Sequence, residues 1–143
     1  MSVGDQIALA EMLRRFLLEF ASLPVKPGQF NLDGLMAAGK SMSLQITGGQ
    51  VLKTYIDGTK RIRLPFTLFY RSTDNVSNDY KSSMIGSLNA IGDWLDSLTE
   101  PPFFGDSFKV IRLEQVQTAN IIEQLDNIVT YQAGFALDYE TVS

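Results

Sequence analysis

The stretch Gly34-Leu35-Met36-Ala37-Ala38-Gly39-Lys40-Ser41 matches the G-x-x-x-x-G-K-[ST] phosphate cradle letter for letter. In such a loop Lys40 would reach the outer phosphates of a nucleotide and the Ser41 hydroxyl would hold magnesium. A working cradle follows a buried strand and opens a helix whose amino end carries the phosphate. Here the residues after Lys40 read SMSLQIT, which alternates like a strand, and only the short piece Phe30–Leu32 precedes the loop. The match is therefore read as chance, and a P-loop-like nucleotide-binding enzyme is kept as the remote alternative. Other chemistry is equally thin. Asp93 and Asp96 stand three apart on a predicted helix and would suit a hard cation, but charges opposite an apolar stripe are ordinary solvated residues. Glu114, Glu123, Asp126, Asp138 and Glu140 have no spacing like that of a calcium loop.

The chain has neither histidine nor cysteine. That removes the commonest general base, the commonest transition-metal ligand, thiolate nucleophiles and disulfides. Ser41 and Ser43 thus lack a histidine to activate them, and no GxSxG elbow surrounds a serine. No catalytic residue, cofactor or metal ligand is assigned. The net charge of −4 over 143 residues argues against a general nucleic-acid surface. No apolar run is long enough to cross a bilayer, and MSVGDQ does not begin like a signal peptide, so a chain folding in a cytoplasm is expected.

The elements that would position any site follow from periodicity. Ile7, Ala10, Leu13, Leu17 and Phe20, widened by Leu9 and Phe16, predict a first helix, with Ser2 and Asp5 at capping-box spacing and Pro24 as its stop. Ser41–Thr47 predicts a strand with Met42, Leu44 and Ile46 on one side and a wet opposite face. A second helix is predicted from about Ser77 to Leu98, with Met84, Leu88, Ile91, Leu95 and Leu98 in one row, joined by Tyr80 and Trp94, before Pro101-Pro102. Phe108–Val116 and Ile128–Glu140 read as strands separated by a turn or short helical segment around Thr118–Asn127. The fold class expected is α+β: one domain over 1–143, with a single mixed or antiparallel sheet, two main helices on one face and a projecting β-hairpin.

That hairpin is VLKTYIDGTKRIRLPFTLFYR, Val51 to Arg71. Asp57-Gly58 suits a two-residue type I′ turn. Ile56 would then face Thr59, with Val51 opposite Leu64, Lys53 opposite Ile62 and Tyr55 opposite Lys60. Neither face of Val51–Arg63 is consistently apolar, whereas Leu64, Phe66, Leu68 and Tyr70 form a clean row. Pro65 stands at the junction, where an edge or bulge is expected because proline cannot donate to the ladder. Val51–Arg63 is expected to project as an arm. Lys53, Lys60, Arg61 and Arg63 against Asp57 give it a charge of +3; taken from −4, this leaves −7 for the body. A basic arm on an acidic body suits head-to-tail self-association. The plainer account gives the same cations the task of guarding a sheet edge.

The order of pieces also resembles a known family. An amino-terminal helix, then GGQVLKTYIDGTKRIRLPFTLFYRS, a helix with LNAIGDWLDSL and a closing IVTYQAGFALDYET are similar to the small minor capsid or tail-terminator proteins of long-tailed bacteriophages. Tyr55, Asp57, Gly58, Phe69, Arg71 and Trp94 match that pattern. The resemblance implies a structural protein without catalysis, forming a ring, usually a hexamer, that caps the tail tube and meets the head-completion protein. It implies a place at the head–tail junction of the virion, assembled in the host cytoplasm, with no membrane and no sequence-specific nucleic acid. A head–tail connector or a tail-tube subunit is the alternative. Asp57 and Gly58 would form the turn and Trp94 would belong to the core. The oligomer contact is assigned to Lys53, Lys60, Arg61 and Arg63 from the arm itself, with Tyr55 among them.

Overall fold

The computed structural model describes residues 3–20, 23–32, 39–73 and 77–141. Ser2 of the expected capping box and Gly34–Ala38 of the cradle match lie outside the described residues. The chain is α+β, with two helices and one mixed six-stranded sheet among the described residues.

Helix α1 spans Val3–Leu17 and helix α2 spans Asn78–Asp96. On α1 the buried stripe runs through Leu9, Leu13 and Leu17 at four-residue steps, and Ile7, expected in the stripe, is 55% exposed. Arg14 ties the end of α1 to the next segment, donating from Nε to the Phe30 carbonyl at 2.6 Å and from Nη2 to that of Pro27 at 3.1 Å. Helix α2 opens on Ser77, whose hydroxyl accepts from the Tyr80 amide, satisfying one of the amides a helix start leaves unpaired. Its row Leu88, Ile91 and Leu95 is buried. The helices meet at Trp94, which stacks on Phe16 at 5.0 Å and also meets Phe20.

The strands are β1 (Phe30–Leu32), β2 (Ser41–Ile46), β3 (Gln50–Thr54), β4 (Lys60–Ser72), β5 (Phe108–Leu125) and β6 (Ile128–Thr141). They lie in the order β1-β2-β4-β6-β5, with β3 also paired to β4. Only β1 and β2 run parallel. The long central pair sets Leu64 opposite Leu137, Phe66 opposite Phe135, Leu68 opposite Ala133 and Tyr70 opposite Tyr131. Phe66 and Phe135 stack at 5.4 Å, a contact worth ~1 kcal/mol beyond the burial itself. Helix α1 packs against β1 and β2, and α2 against β5 and β6. Gly92 permits the second contact: a Cβ there would stand 2.1 Å from Gln115 Oε1. Gln115 in turn donates to Asn89 Oδ1 on α2 at 2.8 Å.

Several sequence expectations are corrected. First, Ser41 and Ser43 are fully buried, so β2 has no wet face over this half; in the register these small side chains stand opposite Arg71 and Phe69. Second, residues Thr118–Leu125 are strand, not a turn or short helix. Strand β5 slips register with β6 four times, and each slip breaks the period-two signal that would have revealed it. Third, the β3–β4 connection is a three-residue loop. Tyr55 and Thr59 pair across it, Gly58 N–H returns to the Tyr55 carbonyl at 3.0 Å, and Gly58 alone takes positive φ (+90°). Asp57 keeps negative φ, as in a type I turn closed by a glycine bulge rather than a type I′ turn. With a further slip at Leu52, the observed partners are Val51 with Ile62 and Lys53 with Arg61. Fourth, Lys60–Arg63 do not project. They pair with β3 on one side, Arg61–Arg63 pair with β6 on the other, and Ile62 is 5% exposed.

Pro65 is neither at an edge nor in a bulge of β4. Its carbonyl accepts from the Thr47 amide at 3.1 Å, and in an extended strand the nitrogen of the same residue faces the same neighbour. That neighbour is the Thr47–Gly49 break between β2 and β3, where the ladder asks β4 for no donor.

Candidate interaction surface

The expected contact residues gather where β3, β4 and β6 run side by side, but they divide into two groups. Arg63 is bound within its own subunit. Its Nε donates to Asp138 Oδ1 at 3.0 Å, its Nη2 meets Glu114 Oε1, and Arg112 reaches the same oxygen at 2.9 Å. Asp138 is 4% exposed. Burial works against the Arg63 charge, but Asp138 and Glu114 outweigh it, so the guanidinium pKa is raised. A desolvated carboxylate needs a partner of this kind.

Tyr55 and Arg61 are intermediate. The Tyr55 hydroxyl donates to Glu140 Oε1 at 3.1 Å, and this bond is the main reason its pKa is raised. Lys53 Nζ sits 5.0 Å from the centre of the Tyr55 ring, within cation–π reach. Arg61 stands opposite Glu140, and its Nε is buried without a hydrogen-bond partner among the described residues. Lys53 and Lys60 are exposed, although the Lys60 amide is fixed by Thr141 Oγ1 at 2.9 Å. At the loop, Asp57 accepts from the Thr59 hydroxyl at 2.7 Å and amide at 3.0 Å, which holds its carboxyl below the usual range. Asp57 and Gly58 shape the turn.

Beside these cations the structure exposes apolar side chains that the sequence pattern does not flag. Val51 and Leu52 are about half exposed, and Ile56, at the loop apex, is 109% exposed. At the far end of β4 another set surrounds the Asp126-Asn127 turn: Ile122 (46%), Leu125 (62%) and Ile128 (41%). These line a groove of about 390 Å³ with Phe69, Arg71 and Glu123. The available sequence signal is an isoleucine at a turn apex and three aliphatics beside an Asp-Asn pair. A third region, around Pro102 and the 80%-exposed Phe103, borders a groove of about 440 Å³ against Met12 and Phe16.

The remaining sequence candidates stand apart from one another. Lys40 is exposed, and Ser41 begins strand β2 where a phosphate cradle would begin a helix. Asp93 and Asp96 lie on the exposed side of α2. Among the described residues, no three acidic side chains gather around a point where a metal ion could sit. No described helix is long and apolar enough to cross a membrane. Neither a protein-family model nor a curated protein matches the sequence.

Proposed function

We propose that this chain is a structural, ring-forming subunit of a long-tailed bacteriophage: a tail terminator that caps the tail tube and joins it to the head-completion protein. The observation that carries the reading is β3. All five of its residues are exposed although it is hydrogen-bonded into the sheet, while the strand beside it is buried at every second residue. A strand with aliphatics and a lysine facing water, leading into a loop whose apical isoleucine is fully exposed, is suited to burial against a neighbouring subunit. We read β3 with its loop as the projecting part of the subunit and both helices as packed on one face, leaving the other for assembly.

The test is assembly, alone and on isolated tail tubes. Native mass spectrometry is expected to show a closed ring, a hexamer, and electron microscopy to show rings seated on tube ends that no longer elongate. A chain that stays monomeric at tens of micromolar and leaves tubes growing overturns the reading. Continued elongation with the chain incorporated along the tube would identify a tube subunit instead.

A further inference from the structure

We infer that two copies of this chain join head to tail, the Ile56 apex of one entering the Phe69–Ile122–Leu125–Ile128 groove of the next. This deepens the ring-forming reading and rests on it. The two surfaces lie at opposite ends of β4, whose thirteen residues at ~3.3 Å each span about 40 Å. They therefore cannot meet within one chain.

Their shapes and charges are complementary. One end presents an isoleucine with its side chain wholly in water, and the other an open groove in which Phe69, Ile122, Leu125 and Ile128 share the lining with polar side chains. At the apex exposed Lys53 and Lys60 outweigh Asp57, and at the groove exposed Glu123 and Asp126 outweigh Arg71, whose Nε donates to the Gly39 carbonyl at 2.9 Å. Opposite charges around an apolar centre fix register and disfavour the apex-to-apex and groove-to-groove pairings, in which like charges would face each other. A contact between two different patches of one chain is heterologous, and it closes into a ring when its rotation permits.

The chain contains no cysteine, so engineered thiols report on this contact alone. The Ile56→Cys, Leu125→Cys double variant is expected to give a ladder of covalent multimers under mild oxidation. Mixing the two single variants is expected to give mainly the mixed dimer, since a disulfide needs Cα atoms within ~7 Å. Ile56→Asp is expected to weaken association roughly tenfold or more while leaving the unfolding midpoint in place, because the residue is fully exposed. If the wild-type chain assembles but the double variant forms no ladder and Ile56→Asp assembles normally, this inference is overturned and the ring reading stands. Coupling of Ile56→Cys to Phe103→Cys in place of Leu125→Cys overturns it in the same way. If the wild-type chain is monomeric alone and on tail tubes, both fail together.

Discussion

Strands β2 and β3 lie end to end along the same side of β4, yet four of the six residues of β2 are buried and all five of β3 are exposed. Their own sequences do not account for this, since SMSLQI carries two serines and a glutamine while QVLKT carries two aliphatics. The difference lies in what stands beyond each strand. Strand β2 has β1 beside it and α1 against it, whereas β3 pairs only with β4 among the described residues. Burial here is conferred by neighbours rather than by the strand's own pattern. An uncovered strand of this kind also loses the packing that would fix its register, in line with its slip at Leu52.

The contrast is sharpest at two leucines. Leu44→Ala on β2 removes a fully buried side chain and should cost ~2–5 kcal/mol, whereas Leu52→Ala on β3 should stay within ~0.5 kcal/mol. Chemical denaturation of the two variants, with unchanged m-values, checks this. Comparable losses would mean that β3 is packed within its own subunit.

Next come the arginines on the part of β4 that β3 borders. Arg63→Ala leaves Asp138 shielded and unpaired and should cost about 2 kcal/mol, less than a fully buried pair because the Arg63 side chain is 32% exposed. Arg61→Ala should cost under about 1 kcal/mol. Equal and small effects in thermal unfolding would show that Arg63 is not anchored as described.

Tyrosines extend the comparison to alkaline pH. Tyr70, on the part of β4 bordered by β2, has its pKa raised strongly by burial, helped by the hydroxyl of Tyr80 at 2.9 Å. A phenol whose folded pKa lies above its unfolded value supports the fold fully below about pH 10, and that support is lost as the pH climbs higher. Unfolding midpoints should therefore fall above about pH 10, and Tyr70→Phe should flatten the decline. Tyr55 is also raised, chiefly by its hydrogen bond to Glu140, but it is only partly covered, so Tyr55→Phe should alter the profile much less than Tyr70→Phe. The smallest effect is dynamic. Amides of β3 should exchange with deuterium before those of β2, because few apolar contacts hold them shut.

Much of the frame is legible from residue order. Periodicity predicts the second helix from about Ser77 to Leu98, and it is found at Asn78–Asp96, because Ser77 caps it and the apolar row keeps a helical step. The alternating row from Leu64 to Tyr70 likewise announces β4. What residue order hides is non-local. Nothing near Arg63 in sequence reveals that its partners are Glu114 and Asp138, 51 and 75 residues away. In sequence, an arginine bound to distant carboxylates therefore reads like one meant for another molecule. Nor does period-two reasoning survive four slips in β5, so Ile122 and Leu125, which border the groove, read as a turn or short helical segment.

Those slips bear on how the molecule keeps company with its own kind. Strand β5 lies at the rim of the sheet along eighteen residues, long enough to recruit identical rims into a growing fibril. Each irregularity bends the rim and spoils the repeat of its amide and carbonyl groups, so a flat second rim cannot zip along it. Sideways stacking is thereby discouraged, and an extended sheet can remain safe from fibril growth even at high concentration.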